Sequence, residues 1–154
     1  MILGAAGGAG RALAVQCALE RCSRLVLVNR TVEKAEQLVE ELTPFFRSDR
    51  LQGPTDRLTA CGFDQERLQT ELEYVDLVVN ATSLGMKRSD PPVLPASLIH
   101  PSLIVYDTVY ASGTSRLLED AQANGARTGN GLSMLLHQGA LAFEIWFNRE
   151  APLD

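Results

Sequence analysis

Seven residues near the start of the chain, Gly4 to Gly10 (GAAGGAG), restrict its possible folds more than any other feature of the 154-residue sequence. They follow an apolar pair, Ile2-Leu3, and lead at once into an amphipathic stretch from Arg11 to Cys22. A glycine run between a strand end and a helix start permits a tight turn. It also lets backbone N–H groups approach a pyrophosphate and sets the positive end of a helix dipole beneath it. The GxGxxG spacing of a dinucleotide fingerprint falls on Ala5, Gly7 and Gly10, whereas Gly4, Gly7 and Gly10 form a GxxGxxG variant; the second spacing is favoured. A glycine-rich turn with only a packing role is the alternative. The opening strand, at two or three residues, falls short of the usual five or six, so upstream sequence is expected to be missing and the first strand truncated.

Beyond the loop, strand and helix patterns alternate. Arg24 to Val28 (RLVLV) is a continuous apolar strand, and Thr31 to Phe46 reads as a helix with Thr31 as N-cap and Lys34, Glu36, Glu40 and Glu41 on its wet side. Arg47 to Arg57, with Gly53-Pro54, reads as a polar loop. Then come a strand at Leu58 to Cys61, a helix at Gln65 to Leu72 and a buried strand at Val75 to Val79, ending at Asn80. A proline-rich segment, Asp90 to Pro101, precedes a strand at Leu103 to Tyr106, a helix from about Ser115 to Asn124 and a short strand near Ala126 to Thr128. Leu132 to Phe147 is a long, strongly apolar helix. Apolar strands separated by helices must be buried on both faces, which predicts an α/β fold with a doubly wound parallel sheet in three layers, α/β/α, formed by residues 1–154 as one domain.

Composition narrows the function classes. A net charge of −5 argues against general affinity for nucleic acid or anionic membrane, so any anion site has to be local. No apolar run approaches the roughly 18 residues of a membrane span, and a soluble protein is expected. Three cysteines, Cys17, Cys22 and Cys61, are an odd number without a signal peptide, which points to reduced thiols in the cytoplasm. His100 and His137 lie far apart and outside any Cys/His cluster, so no metal site is expected.

The end of the second strand chooses the nucleotide. About 20 residues after the loop, an NAD site presents Asp or Glu to the ribose hydroxyls. Here the chain presents Asn29-Arg30-Thr31. A carboxylate would repel a 2′-phosphate, whereas Arg30 offers a charge-assisted fork, Thr31 a hydroxyl and Asn29 a neutral ribose contact. The reading is NADP; stacking of Arg30 on the adenine and a merely solvated charge are the other roles open to it.

Three further segments, Asp76 to Met86 (DLVVNATSLGM), Val105 to Tyr110 (VYDTVY) and Asn130 to Ala140 (NGLSMLLHQGA), join the Asn-Arg-Thr triplet. Together these motifs resemble the shikimate dehydrogenase family, from Ile2 to about Trp146, and only its C-terminal, NADP-binding half. The resemblance implies a Rossmann domain normally preceded by an α/β substrate domain, in an enzyme that reversibly reduces 3-dehydroshikimate to shikimate with NADPH during chorismate and aromatic amino-acid biosynthesis. It implies that Gly7, Gly8, Ala9 and Arg11 line the pyrophosphate, with Gly4 and Gly10 completing the loop. Asn29, Arg30, Thr31 and Lys34 would hold the adenosine 2′-phosphate. Asn80, Thr82 and Thr108 would lie along the cofactor, and Gly131 close to the nicotinamide. Tyr110 and Gln138 match positions that reach substrate hydroxyl or carboxylate groups, against blander roles as a half-buried strand-end tyrosine and a polar helix-face residue.

The sequence departs from the family in two respects. The loop carries one extra alanine relative to GAGGAG, which alters the register of its N–H groups. By the resemblance, the catalytic lysine and its aspartate partner belong to an N-terminal domain that is expected to be missing from this sequence; Lys87, after NATSLGM, does not match that lysine, and His137 reads as a packing or surface residue. Met86 and Met134 read as apolar filling. The fragment is therefore expected to bind NADPH without turning over shikimate, to expose part of the last helix and to self-associate as a homodimer. Quinate dehydrogenase and a non-catalytic NADP-binding module are the alternatives. If Arg30 holds a 2′-phosphate, Arg30→Asp weakens NADPH binding at least about tenfold more than NADH binding, a difference of roughly 1.4 kcal/mol; equal losses in a fluorescence titration contradict that role.

Overall fold

The computed structural model describes residues 1–46, 57–110 and 113–153. Six strands form one parallel sheet: β1 (Ile2–Leu3), β2 (Leu25–Val28), β3 (Leu58–Cys61), β4 (Leu77–Asn80), β5 (Ile104–Asp107) and β6 (Arg127–Asn130). Their order across the sheet is β3-β2-β1-β4-β5-β6, the doubly wound arrangement expected from the alternating pattern. Between them run α1 (Gly8–Leu19), α2 (Val32–Phe46), α3 (Gln65–Leu72) and α4 (Arg116–Ala123), with α5 (Leu132–Phe147) last. Most of the polar loop read at Arg47 to Arg57 lies outside the described residues.

The period of two along each strand sorts side chains onto two cores. Leu25 and Leu27 of β2, with Ile2 of β1, pack against Ala14 and Ala18 of α1 and Leu38 and Leu42 of α2. Val26 and Val28 point the other way, where Leu68 and Leu72 of α3 and Leu117, Leu118 and Ala121 of α4 cover them. The result is the three-layer α/β/α arrangement. Caps fit the helix starts: Asp64 accepts from the Arg67 N–H of α3 at 2.9 Å, and Ser115 from the Leu118 N–H of α4 at 3.4 Å.

Strand β4 ends at Asn80, as patterning predicts, and β5 runs one residue further than predicted, to Asp107. Both are polar, yet both are 0% exposed. They are register partners in the ladder and bond directly, Asn80 Nδ2 donating to Asp107 Oδ1 at 2.9 Å. A buried polar pair of this kind belongs in a sheet only when satisfied, and here each side chain has several partners.

Helix α1 starts at Gly8, three residues earlier than the amphipathic pattern suggests, with Gly7 as its N-cap. Its first turn sits hard against the end of β1: a Cβ on Gly10 would fall 2.3 Å from the Gly4 carbonyl oxygen. Gly4 itself has φ +80°, and a side chain there would meet Thr82 at 2.7 Å. Gly8, by contrast, faces open space. Gly10→Ala is expected to destabilise the fold by about 2 kcal/mol or more in urea denaturation, whereas Gly8→Ala stabilises it by about 0.5 kcal/mol. Equal effects would contradict this packing.

Helix α5 differs from the others. Of its apolar residues only Ala140 is buried, while Leu136, Leu141, Ile145 and Trp146 are each more than half exposed. Ile104 and Tyr106 of β5 are only half-buried. The expected exposure of the last helix is thus observed along nearly its whole length. Among the described residues no helix is long and apolar enough to cross a membrane.

Candidate functional site

Strand order reverses between β1 and β4, because β1 continues through α1 to β2 on one side while β4 leads to β5 on the other. Loops leaving two such strands part toward opposite faces and open a crevice at their carboxyl ends. A groove of about 760 Å³ occupies that position. Gly4, Ala6 and Gly7 line it from the glycine loop, Arg30, Thr31 and Lys34 from the start of α2, and Thr82, Ser83 and Leu84 from the loop after β4.

The glycine positions decide the register. Gly4 makes the turn, Gly7 caps α1, and Gly10 lets the helix close on the Gly4 carbonyl, so the GxxGxxG spacing is the structural one. The turn is held from below: the Gly4 and Ala5 N–H groups both donate to the Val28 carbonyl, at 2.8 and 3.1 Å. Gly7, Gly8 and Ala9 are exposed at the amino end of a 12-residue helix. That arrangement suits an anion, since the first N–H groups of a helix lack partners and carry its positive pole.

Charge in the groove has one sign. Among the described residues no carboxylate lines it, and neither Arg30 nor Lys34 has an ion-pair partner. Two cations beside a hydroxyl at the end of β2 fit a phosphate monoester better than a ribose diol, which calls for an acceptor. Asn29 serves the loop itself: its Nδ2 donates to the Thr31 carbonyl at 2.8 Å, and its Oδ1 accepts from the Ala6 N–H at 3.4 Å. It thereby ties the β2 turn to the glycine loop.

Several residues expected along the cofactor take other positions. Arg11 is bonded to Glu41 of α2, with Nη1 donating to Oε1 at 3.3 Å, and does not line the groove. Gly10 and Asn80 are buried beneath it. Asn80 is a brace: its Oδ1 accepts from the Thr82 N–H at 3.0 Å and the Thr82 hydroxyl at 2.7 Å, while its Nδ2 donates to the Leu84 carbonyl at 3.1 Å. Gly131 packs against Thr108, whose carbonyl oxygen would lie 2.2 Å from a Cβ there. Thr108 is half-buried and tied by its N–H to the Asn80 carbonyl at 3.0 Å.

Tyr110 is 57% exposed beside a smaller cavity of about 90 Å³ that also touches Asn130 and Leu132. Gln138 and its neighbour His137 are exposed on α5, and Gln138 lines neither cavity. Met86 is exposed, Met134 half-buried, and Lys87 lies in a loop pinned through its N–H to Asp90.

Sequence reasoning missed Asp107, Ser115 and Phe63. Asp107 accepts from Asn80, from the Val109 N–H at 3.0 Å and from the Ser115 hydroxyl at 2.5 Å. It joins the loop after β4 to the segment leading to Tyr110. The signal was present: two apolar runs, LVV and IVY, each end on a polar residue. Phe63, following β3, adds an aromatic surface to the groove.

Comparison with known proteins agrees with this geometry. The family profile "Shikimate 5'-dehydrogenase C-terminal domain" matches residues 131–154. The NADP(+) shikimate dehydrogenase of Methanopyrus kandleri is 42% identical over 156 residues, covering 100% of this chain and 51% of that protein. A crystal structure of shikimate 5-dehydrogenase from Listeria monocytogenes, in complex with shikimate and NAD, superposes with a TM-score of 0.81 at 38% identity. It covers 98% of this chain and 51% of the other. A second shikimate dehydrogenase, in complex with NADP+, gives 0.79 at 35% identity, over 97% of this chain and 48% of the other. The chain thus spans about half the length of the curated relatives it matches, and it belongs to the shikimate dehydrogenase family, as its C-terminal part.

Proposed function

We propose that this chain is the NADP-binding half of an oxidoreductase that interconverts 3-dehydroshikimate and shikimate. The observation that carries the reading is the groove at the reversal of strand order, headed by the amino end of α1 and flanked by Arg30, Thr31 and Lys34 with no carboxylate among its described lining. The exposed N–H groups at Gly8 and Ala9 take the pyrophosphate beside Gly7, whose own N–H donates to the Gly4 carbonyl at 3.0 Å, and the absence of a side chain on Gly8 leaves the space it needs. Arg30, Lys34 and the Thr31 hydroxyl take the 2′-phosphate. Phe63 and Pro95 give the adenine an apolar surface.

When bound, the nicotinamide supplies or accepts the hydride. The chain's own part is to orient and to exclude. Thr82, fixed by Asn80, and Thr108, fixed through the Asn80 carbonyl, set the direction in which the ring end lies. The Tyr110 hydroxyl and the Gln138 amide reach the hydroxyl and carboxylate groups of the substrate ring, which needs fixed donors and acceptors with little charge. Reduction of a ketone also needs a proton delivered to its oxygen within hydrogen-bond reach. In our reading a lysine and aspartate of an N-terminal substrate domain perform that step.

That domain docks on the exposed apolar face of α5, and the pair encloses the substrate between them. In the purified chain a second copy covers the same face, giving a homodimer. We place the reaction in the chorismate and aromatic amino-acid route, in the cytoplasm. The purified chain is expected to enhance NADPH fluorescence on binding, yet to show no NADP+ reduction above background with shikimate or quinate. Turnover by the chain alone contradicts the division of labour, and failure to bind NADPH contradicts the cofactor assignment.

A further inference from the structure

The carboxyl end of α1 holds two thiols together. The Cys22 N–H donates to the Cys17 carbonyl at 3.0 Å, the Arg21 N–H donates to the Ala18 carbonyl at 3.1 Å, and Arg21 has φ 57°. Those two bonds with a left-handed residue between them constitute a Schellman motif. In that motif the side chains three residues inside the helix end and two beyond it come into contact, and it ordinarily sets two apolar groups against each other. Here the two positions are Cys17 and Cys22. Both pack against the core formed by α1, α2 and β2, and neither is fully buried.

We propose that Cys17 and Cys22 form a dithiol site that closes to an intrachain disulfide when the protein meets a peroxide, without unfolding of α1. A disulfide requires Cα atoms within about 7 Å and side chains directed at each other, and a Schellman turn is the helix ending that brings these two positions together. Interaction with Cys22 lowers the Cys17 thiol while raising Cys22, which favours Cys17 as the nucleophile. The Cys17 thiolate attacks one peroxide oxygen, the O–O bond breaks, hydroxide leaves, and the sulfur becomes a sulfenic acid. The Cys22 thiol then attacks that sulfur; the S–S bond forms, the S–O bond breaks, and water departs with the Cys22 proton. The two thiols are oxidised and one peroxide is reduced to water and hydroxide.

Cys61 is an internal control, since it lies in the other core, buried beneath α3. The site is also separate from the proposed cofactor groove, because the 12 residues of α1 span about 18 Å.

The test is intact-mass analysis and thiol titration of the folded chain after brief hydrogen peroxide treatment and quenching. The wild type is expected to lose the mass of two hydrogens and, when titrated after quenching and unfolding, two of its three thiols, both restored by dithiothreitol, with an unchanged helical circular dichroism signal before unfolding. Peptide mapping should join Cys17 to Cys22. Cys22→Ser is expected instead to gain oxygen at Cys17 and to be labelled by dimedone, which the wild type resists. Wild-type protein that keeps its thiols, accumulates a dimedone-reactive Cys17, or links only between chains overturns the proposal.

Discussion

How closely α1 sits on the end of β1 governs the whole site. With Gly10 against the Gly4 carbonyl there is no room for even a methyl group, and this closeness points the first turn of the helix into the crevice beside β4. A larger residue would lift the helix and move its unpartnered N–H groups away from an anion. The same contact explains why the loop tolerates an extra alanine. Gly4, Gly7 and Gly10 still meet the turn, the cap and the close approach, and the added residue is absorbed between the first two.

A second constraint lies across the reversal of strand order. Asn80 and Asp107 end neighbouring strands, face each other in register and share a hydrogen bond in a fully buried setting. From this pair bonds run outward to Thr82 and Leu84 on one side and to Val109 and Ser115 on the other. Satisfied buried networks specify one arrangement because any other leaves a polar group unpaired in a low-dielectric interior. The loop that lines the groove and the segment that carries Tyr110 are therefore set relative to each other by the same two side chains.

Much of this was legible in the sequence. Apolar runs such as LVLV can be buried on both faces only in a covered sheet, and the glycine loop, the Asn-Arg-Thr triplet and the long last helix fell where patterning put them. What was not legible depends on partners distant in sequence. Arg11 looks like a loop cation until the fold brings Glu41 beside it. Asn80 looks like a cofactor contact until Asp107 and Thr82 occupy its amide. Glu71, a charged residue of α3, is buried between Arg24, at 2.5 Å, and Arg67, at 2.7 Å, the first a partner that only the fold brings to it. The Cys17 and Cys22 contact was hidden by the expectation that the helix continued through both, whereas it ends at Leu19 and turns back.

Exposure of α5 follows from the same logic of partners. Leu141, Ile145 and Trp146 of α5 are open to water, an apolar surface of the kind that interfaces use. The groove, by contrast, is lined among the described residues by Gly4, Gly7, Arg30, Thr31, Lys34 and Thr82, all within this chain. Calorimetric titration with adenosine 2′,5′-bisphosphate and with adenosine 5′-phosphate isolates the central claim from the nicotinamide and from any missing domain. The account predicts at least about tenfold tighter binding of the bisphosphate, from charge-assisted bonds to Arg30 and Lys34; equal affinities would contradict it.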